Sequence, residues 1–588
     1  MAIQVSPGIH VSEVNLTTSV PAVSTSIGAV AGPLNWGPAN AATQITSEVM
    51  LASTFGNPDS NTANLFFTAA NFLSYSNNLQ VVRAAVTGAN NASANGMAQV
   101  INNVNDYFSG SVYNSTLGLG TGTNPFTARY PGTLGNSLGV YVWANAACWT
   151  ANSTNTADPL YAFANYFDYA PGTSPVVSAT TGFYPPDQIH ILVVDSGGKF
   201  TGTQNTVLEK YQALSVLSDA TTPNGSTNYY KEVLYRQSKY IYWSGVPQTS
   251  KVGWGTKVNS ITSNTSITND GNTMIANISA TPSFSGGTLG TATLGDLQNA
   301  WSVFSNPQST TISLCMTADA NSALSNYVVH NIAETRTDCI ALLSPTLANT
   351  LGTAGDSNQP VTSIINYVQS MGAYSSYAVM DSGWKYQYDK YNDIYRWIPL
   401  NGDIGGLCAY TDNVKDPWWS PAGINRGTVK NVIKLAFNPS QSQRDSLYKA
   451  GINPVVTFPG QGTLLYGDKM MLNRPSAFDR INVRRLFIVL EQTISAAAES
   501  SLFEFNDTFT RSQFVAQIDP FLRIVQGRRG IYAYKIVCDT TNNTPAVIDS
   551  NSFVGDIYIQ PARSINFIQL NFVATRTGVA FSQVMGQF

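Results

Sequence analysis

The sequence predicts a multidomain α/β (α+β) protein: an α/β core domain interrupted by a β-rich insertion, then a C-terminal α+β domain, with extended arms at both ends. Three observations predict it. Strand, helix and strand patterns follow one another between residues 26 and 86, and again between 311 and 343. Between those blocks, from 89 to 318, the texture turns to Asn, Gly, Ser and Thr with isolated aromatics. Beyond residue 506 a helical pattern gives way to runs of two-residue alternation that continue to Phe588.

The first element is an N-terminal arm, residues 1–21, in which a Pro7-Gly8 turn precedes the alternating Ile9, Val11 and Val14. The first part of the core domain, 22–88, then opens with a buried strand over 26–30 that Gly32 and Pro33 end. A helix over 61–78 carries Leu65, Ala69, Phe72 and Leu73 at three- and four-residue steps, and a strand over 79–86 completes the unit. The protruding insertion, 89–318, forms one or two subdomains. Its short alternating pieces at 140–143 and 189–194 read as strands, 209–217 reads as a local helix, and the low-complexity 259–293 reads as a surface excursion.

Order returns with a strand over 311–315. The second part of the core, 319–505, continues with helices over 323–334 and 362–371 and strands over 339–343 and 377–380. The longest helical pattern runs from Pro475 to about Phe505 with Val483, Leu486, Phe487, Leu490, Ile494 and Ala497 in one stripe; Ile488 and Val489 widen it, so two-sided burial is expected. In the C-terminal assembly domain, 506–588, a helix over 511–526 carries Phe514, Ile518, Phe521 and Val525, and Pro520 should kink or split it. Alternation over 531–537 places Tyr532, Tyr534 and Ile536 on one face and Ile531, Ala533 and Val537 on the other. The runs 553–559 and 565–573 repeat that period, the last with Ile568, Leu570 and Phe572 on one side.

Charged residues are 11% of the 588, against roughly 25% in ordinary soluble proteins. Such a surface repels its own kind weakly, and it suits an assembly subunit as well as a protein with a polar, uncharged coat. A net charge of -3 gives no footprint for nucleic acid, which is bound through clustered Lys and Arg. No run approaches the ~20 apolar residues of a membrane span, and no basic segment followed by an apolar one opens the chain, so we expect no membrane insertion and synthesis in a cytoplasm. The five cysteines are scattered and unpaired in spacing, as buried thiols in a reducing compartment would be.

Catalytic chemistry finds little to work with. His10, His190 and His330 stand apart from other ligand types. Ser196-Gly197-Gly198-Lys199 lacks the earlier glycine of a phosphate loop, and Phe200 stands where Ser or Thr is required. Asp389 and Asp393 sit among tyrosines and lysines and read as a polar turn with local ion pairs; the tyrosines from 386 to 391 read as a hairpin or a protein interface. We therefore nominate no catalytic, cofactor or metal residues and expect a protein that is not an enzyme.

The termini carry a positive argument. Open sheet edges recruit other chains, so alternating arms at both ends suggest subunits that clasp one another, with Ile9, Val11, Val14, Ile568, Leu570 and Phe572 as the intersubunit arm contacts. A strand donated to a neighbour is a heterologous contact, and repeated with a rise it builds a helical tube.

Several motifs agree. Ser6-Pro7-Gly8-Ile9, Gly32-Pro33 and Trp36-Gly37-Pro38 open the chain, and Tyr130-Pro131-Gly132-Thr133-Leu134-Gly135-Asn136 stands in the middle. The second half has Lys385-Tyr386-Gln387-Tyr388-Asp389-Lys390-Tyr391-Asn392-Asp393 with Arg396-Trp397-Ile398-Pro399, and Ser420-Pro421-Ala422-Gly423 with Asn425-Arg426-Gly427. Beyond them stand Phe478-Asp479-Arg480-Ile481-Asn482-Val483-Arg484-Arg485-Leu486-Phe487 and Tyr558-Ile559-Gln560-Pro561-Ala562-Arg563-Ser564-Ile565. In order and spacing the chain resembles the contractile tail sheath proteins of myovirus-type phages, over residues 1–88 and 320–588.

The resemblance implies a virion tail protein, assembled in the host cytoplasm as stacked hexameric rings around an inner tail tube. Its partners would be itself, the tube protein and the baseplate and tail terminator proteins, and contraction would drive the tube through the host envelope. No nucleotide site is needed if the extended lattice is metastable. For tube contact the chemistry nominates Arg511, Gln517, Arg523, Arg528 and Arg529 on and after the 511–526 helix. The sheath of a bacterial contractile injection system shares this mechanism. A glycan-binding or depolymerising tail protein is the alternative of a different class, for which the aromatic middle would be the active part.

Overall fold

The structure is a computed structural model, and it describes residues 24–94, 100–109, 126–244, 253–267, 283–352, 358–566 and 569. The chain divides into two compact units. One comprises Ser24–Lys415 with Pro421–Arg480, the other Asp416–Ser420 with the chain from Ile481 onward.

The larger unit is built on a seven-stranded sheet in the order Ile452–Asn453, Ala378–Asp381, Ile340–Leu343, Leu314–Met316, Gly28–Gly32, Leu79–Arg83, Thr43–Ile45. All neighbours are parallel except the last pair. Parallel strands covered on both faces need apolar residues on both faces, and GAVAG, LCM and IALL are buried throughout. One face packs Ala29, Ala31, Val82, Cys315 and Leu343 against helices Leu294–Ser302 and Gln359–Met371 and the helical stretch 322–336. Helix Asn401–Val414 lies against the strands Leu314–Met316 and Ile340–Leu343 and against helix Ala63–Leu73. A Cβ on Gly405 would stand 2.7 Å from Met316 Sδ, and one on Gly402 only 2.4 Å from the Thr68 carbonyl, so these glycines set how closely that helix approaches.

Gly28–Gly32 is flanked by Leu79–Arg83 and Leu314–Met316, strands far apart in the sequence. The chain between them is largely the insertion. It holds two antiparallel three-stranded sheets, Asn91–Ser93 with Phe126–Pro131 and Ile241–Trp243, and Leu138–Trp143 with Gln188–Asp195 and Thr206–Ser215. Trp243, Tyr230, Phe126, Ile191 and Val193 are among the residues of its own core. Residues 209–217, expected as a helix, lie mostly in the strand Thr206–Ser215: the wholly buried strand beside it offers a ladder that a short apolar run accepts in preference to local helix. Helix Leu294–Ser302, with its Thr293–Asp296 capping box, and strand Leu314–Met316 pack with the main sheet, ahead of the expected boundary at 318.

In the smaller unit, helix Ile481–Ala498 contributes Leu486, Val489 and Leu490 to the core that also holds Phe514, Ile518, Leu522 and Val525 of helix Thr508–Gly527. The long helix, which sequence assigned to 319–505, thus shares its core with the C-terminal helix. Pro520 does not split helix Thr508–Gly527, which runs through it as one helix. The carbonyl that Pro520 leaves without a helical donor belongs to Ala516, which is exposed, so water can serve it.

Candidate assembly surface

The motif around Lys385 is structural. In the hairpin Trp384–Asp389 with Ile394–Pro399, Lys385 is wholly buried and its Nζ lies 2.8 Å from the buried carboxylate of Asp403. It also donates to the Lys430 carbonyl at 2.9 Å, while the Tyr75 hydroxyl donates to Asp403 at 3.3 Å. Burial pushes the Lys385 amine down and the Asp403 carboxyl up. Asp381 accepts from the Ser344 hydroxyl at 2.6 Å and the Gly383 N–H at 2.8 Å, and burial pushes its pKa up to about 8. Lys385 and Tyr75 are thus spent on holding Asp403 of helix Asn401–Val414, and Asp381 on joining the ends of two core strands. Asp389 pairs with Arg396 at 2.7 Å and Asp393 accepts from the Tyr388 hydroxyl at 2.8 Å, so both aspartates close the hairpin locally. A groove beside it is lined by Phe67, Asn71, Ser74, Gln387, Tyr388 and Ile433; its charged residues, Glu48 and Lys390, pair at 3.1 Å. Among the described residues no group of three or more His, Cys, Asp or Glu is placed to hold a metal ion, and no helix is long and apolar enough to cross a membrane.

The smaller unit presents a different surface. Strand Ile531–Val537 pairs antiparallel with Asp556–Pro561, and among the described residues neither has another strand beside it. A bulge between Ile531 and Ala533 corrects the expected faces. Ile531 joins Tyr534 and Ile536 on the inner side, with Ile557 and Ile559 opposite, while Tyr532, Ala533 and Lys535 are exposed. The result is a small sheet, glued to the helices by one face, with no third strand at either edge among the described residues.

Asp507 caps helix Thr508–Gly527, its side chain accepting from the Thr510 N–H at 2.8 Å. The five residues nominated for tube contact divide. Arg511 is buried, donating Nε–H to the Asp507 carbonyl at 3.0 Å, and it does not belong to an exposed polar face as sequence suggested. Gln517 is half-buried and accepts from Ser500 at 3.4 Å. Arg523 is exposed and pairs with Asp519 one turn earlier at 2.7 Å. Arg528 pairs with Asp416 at 2.8 Å, and Arg529, at φ +67° where the helix ends, lies 5.6 Å from the Trp419 ring. The arm contacts Ile9, Val11, Val14, Ile568, Leu570 and Phe572 lie outside the described residues. Sequence reasoning overlooked the exposed run Leu502, Phe503, Phe505 and Phe509, although four large apolar residues within eight positions of an otherwise acidic stretch were visible.

Family models match most of these parts: the phage tail sheath protein central domain over residues 290–471, the phage tail sheath C-terminal domain over 473–575, and the N-terminal region of tail sheath protein Gp18 domain III over 25–84. The chain is 34% identical to the tail sheath protein of Enterobacteria phage T4 and 33% identical to that of Vibrio phage KVP40, covering 99% of each chain in both cases. It is also similar to the solved sheath tail protein Lin1278 from Listeria innocua, at 11% identity and a TM-score of 0.49 over 92% of this chain and 96% of that one. On the three matched domains and the full-length relatives, the chain belongs to the phage tail sheath protein family.

Proposed function

We propose that this protein is the structural subunit of a contractile phage tail sheath, polymerising as stacked hexameric rings around an inner tail tube. Contraction by rearrangement of these subunits would drive the tube through the host envelope. The observation that carries the reading is the two-stranded sheet Ile531–Val537 with Asp556–Pro561, anchored by its inner face to two long helices and with no third strand beside it among the described residues. An anchored sheet of two strands is a receptor for extended segments, and the alternating runs at 9–14 and 565–573 have the pattern to fill it from neighbouring copies. Main-chain ladders of this kind hold copies together whatever their side chains, which leaves the larger units free to change their mutual contacts as the lattice shortens.

Tube contact would fall on the exposed flank of helix Thr508–Gly527 that carries Gln517 and Arg523. Exposed polar contacts of this kind are worth about 0 to 1 kcal/mol each, weak enough to release on contraction. The baseplate and tail terminator would bound the polymer, and assembly would take place in the host cytoplasm. Negative-stain microscopy of the purified protein tests the whole reading: striated hollow tubes are expected, and a protein that stays monomeric or forms closed oligomers under all conditions of salt and concentration would overturn it.

A further inference from the structure

Charge and apolar surface are segregated along the C-terminal unit. Where helix Thr508–Gly527 begins, Phe503 and Phe505 are 104% and 84% exposed, and Leu502 and Phe509 are exposed beside them. Phe503 holds a φ of +68°, a region that bulky residues rarely occupy, so the backbone keeps this ring outward at a conformational cost. Exposed Glu499, Glu504, Asp507, Asp539 and Asp549 surround this end. Asn506 brings the two acidic stretches together by donating to Asn543 at 3.2 Å and to the Ser552 carbonyl at 2.8 Å. Of the cations near this end Arg511 is buried, and the exposed Lys535 lies close enough to Asp539 for its charge to act on it.

The far end of the same helix is the opposite in character. Arg523, Arg528, Arg529 and Arg563 are all exposed there, and Ile524 and Tyr532, each more than half exposed, lie among them. The Ala562 N–H donates to the Gly530 carbonyl at 3.0 Å, which keeps Arg563 at the helix end. Twenty helical residues separate the two ends by about 30 Å, so a unit cannot satisfy its acidic apolar end with its own basic end. An apolar patch of this size on a rigid support marks a contact site, and the molecule itself carries the complementary surface: it is the other end of an identical unit.

We infer that the C-terminal units of successive copies pack head to tail, the Phe-rich acidic end at 499–509 of one copy docking on the basic end around Ile524, Arg529 and Tyr532 of the next. This rests on the proposed sheath assembly and adds to it a side-chain contact separate from strand exchange. Phe503 and Phe505 supply the buried anchors, and Glu499 and Glu504 meet the exposed guanidinium groups of the basic end. The contact is heterologous, so it propagates into a ring or a helix.

The test uses the full chain, with circular dichroism to verify folding; every substituted residue is exposed. Glu504→Arg and Arg529→Glu should each raise the critical concentration for polymerisation about tenfold, and the two together should bring it back to within about threefold of the parent. In a Phe505→Cys, Arg529→Cys variant a short bis-maleimide should join position 505 of one copy to 529 of another, identified by mass spectrometry. Tubes that form at the parent concentration in both single variants, with no such link, overturn the contact and leave the sheath reading intact. A link between copies in a protein that never forms tubes upholds the contact and removes the sheath reading; neither link nor tubes removes both.

Discussion

Arg83 is a cation held by carbonyl oxygens: Nε donates to Leu34 at 2.8 Å, Nη1 to Gly37 at 2.8 Å and Nη2 to Pro131 at 2.5 Å. Burial pulls its pKa down to about 10, so it stays charged at neutral pH. It fastens the end of a core strand to the insertion, and the residue after Pro131, Gly132, sits at φ +139° with no room for a Cβ, which would stand 2.9 Å from the Asn35 carbonyl. Arg83→Ala strands these acceptors and should cost about 3 kcal/mol or more, read as a lowered urea midpoint; Arg83→Lys should recover little, because one ammonium cannot serve carbonyls in three directions. Asp381 and His190 bracket stability from opposite sides of neutrality. Asp381 is protonated in the fold up to about pH 8 and ionises near 3.8 when unfolded, so its contribution is full below 3.8 and is lost as pH rises to about 8. His190 donates Nε2–H to the Tyr169 carbonyl at 2.7 Å and accepts the Ala213 N–H at Nδ1, so the fold needs it neutral and burial lowers its pKa. Its unfolded ring takes up a proton below about 6.5 while the folded one resists, so its stabilisation is present above that pH and falls as pH drops. Melting temperatures across pH should show Asp381→Asn flattening the loss from about pH 4 to 8, and His190→Gln flattening the loss below about pH 6.5.

At the scale of elements, helix Thr508–Gly527 faces two ways: Phe514, Ile518, Leu522 and Val525 go inward, and Gln517 and Arg523 lie on the flank proposed to meet the tube. Gln517→Glu with Arg523→Glu should leave the melting temperature within a few degrees and self-polymerisation intact while reducing co-assembly with the inner tube, measured by co-sedimentation at ordinary salt. Unchanged co-sedimentation would move the tube contact to another element. The apolar stripe of this helix was legible because a 3.6-residue period is a local property, and so was the alternation of Ile531–Val537. What was not legible depends on distant neighbours. Arg511 looks like any surface arginine until the chain at Cys538 and Asp539 returns beside it, close enough for its charge to act on both. The bulge at Ile531 and Ala533 reverses a face by one residue, and no alternation pattern announces a bulge. Tyr211 and Leu214, within the run read as helix, pair with the buried strand Gln188–Asp195, which nothing local shows. Lys385 and Asp403 are eighteen residues apart in sequence with no local pattern to join them, yet they form one buried pair.

For the whole molecule, the point where the insertion leaves the main sheet sets what can be removed. Asn90 and Thr288 exchange backbone hydrogen bonds at 3.0 and 3.1 Å, so the two chain ends meet there. Replacing residues 91–287 with a short Gly/Ser linker keeps helix Leu294–Ser302, whose Trp301 is wholly buried in the sheet's core, and loses only one of the three carbonyls that hold Arg83. The product should fold with a lower melting temperature and form tubes of smaller outer diameter; a folded product that cannot polymerise would show that the insertion makes lattice contacts. The arms make the complementary case, because the core under the sheet Ile531–Val537 with Asp556–Pro561 already holds Leu486, Leu490, Phe514, Ile518, Leu522 and Val525 of its two helices. Deleting residues 1–16 or 565–588 should therefore leave circular dichroism and the melting transition of the core nearly unchanged. Either deletion should abolish tubes in the microscope, since a ladder needs both a strand and an edge. An added peptide carrying residues 565–588 should bind the corresponding truncation without restoring tubes, because a free strand fills an edge but ties it to no neighbour. Tubes of ordinary length from either truncation would show that the subunits are held by side-chain contacts alone and that strand exchange is no part of the lattice.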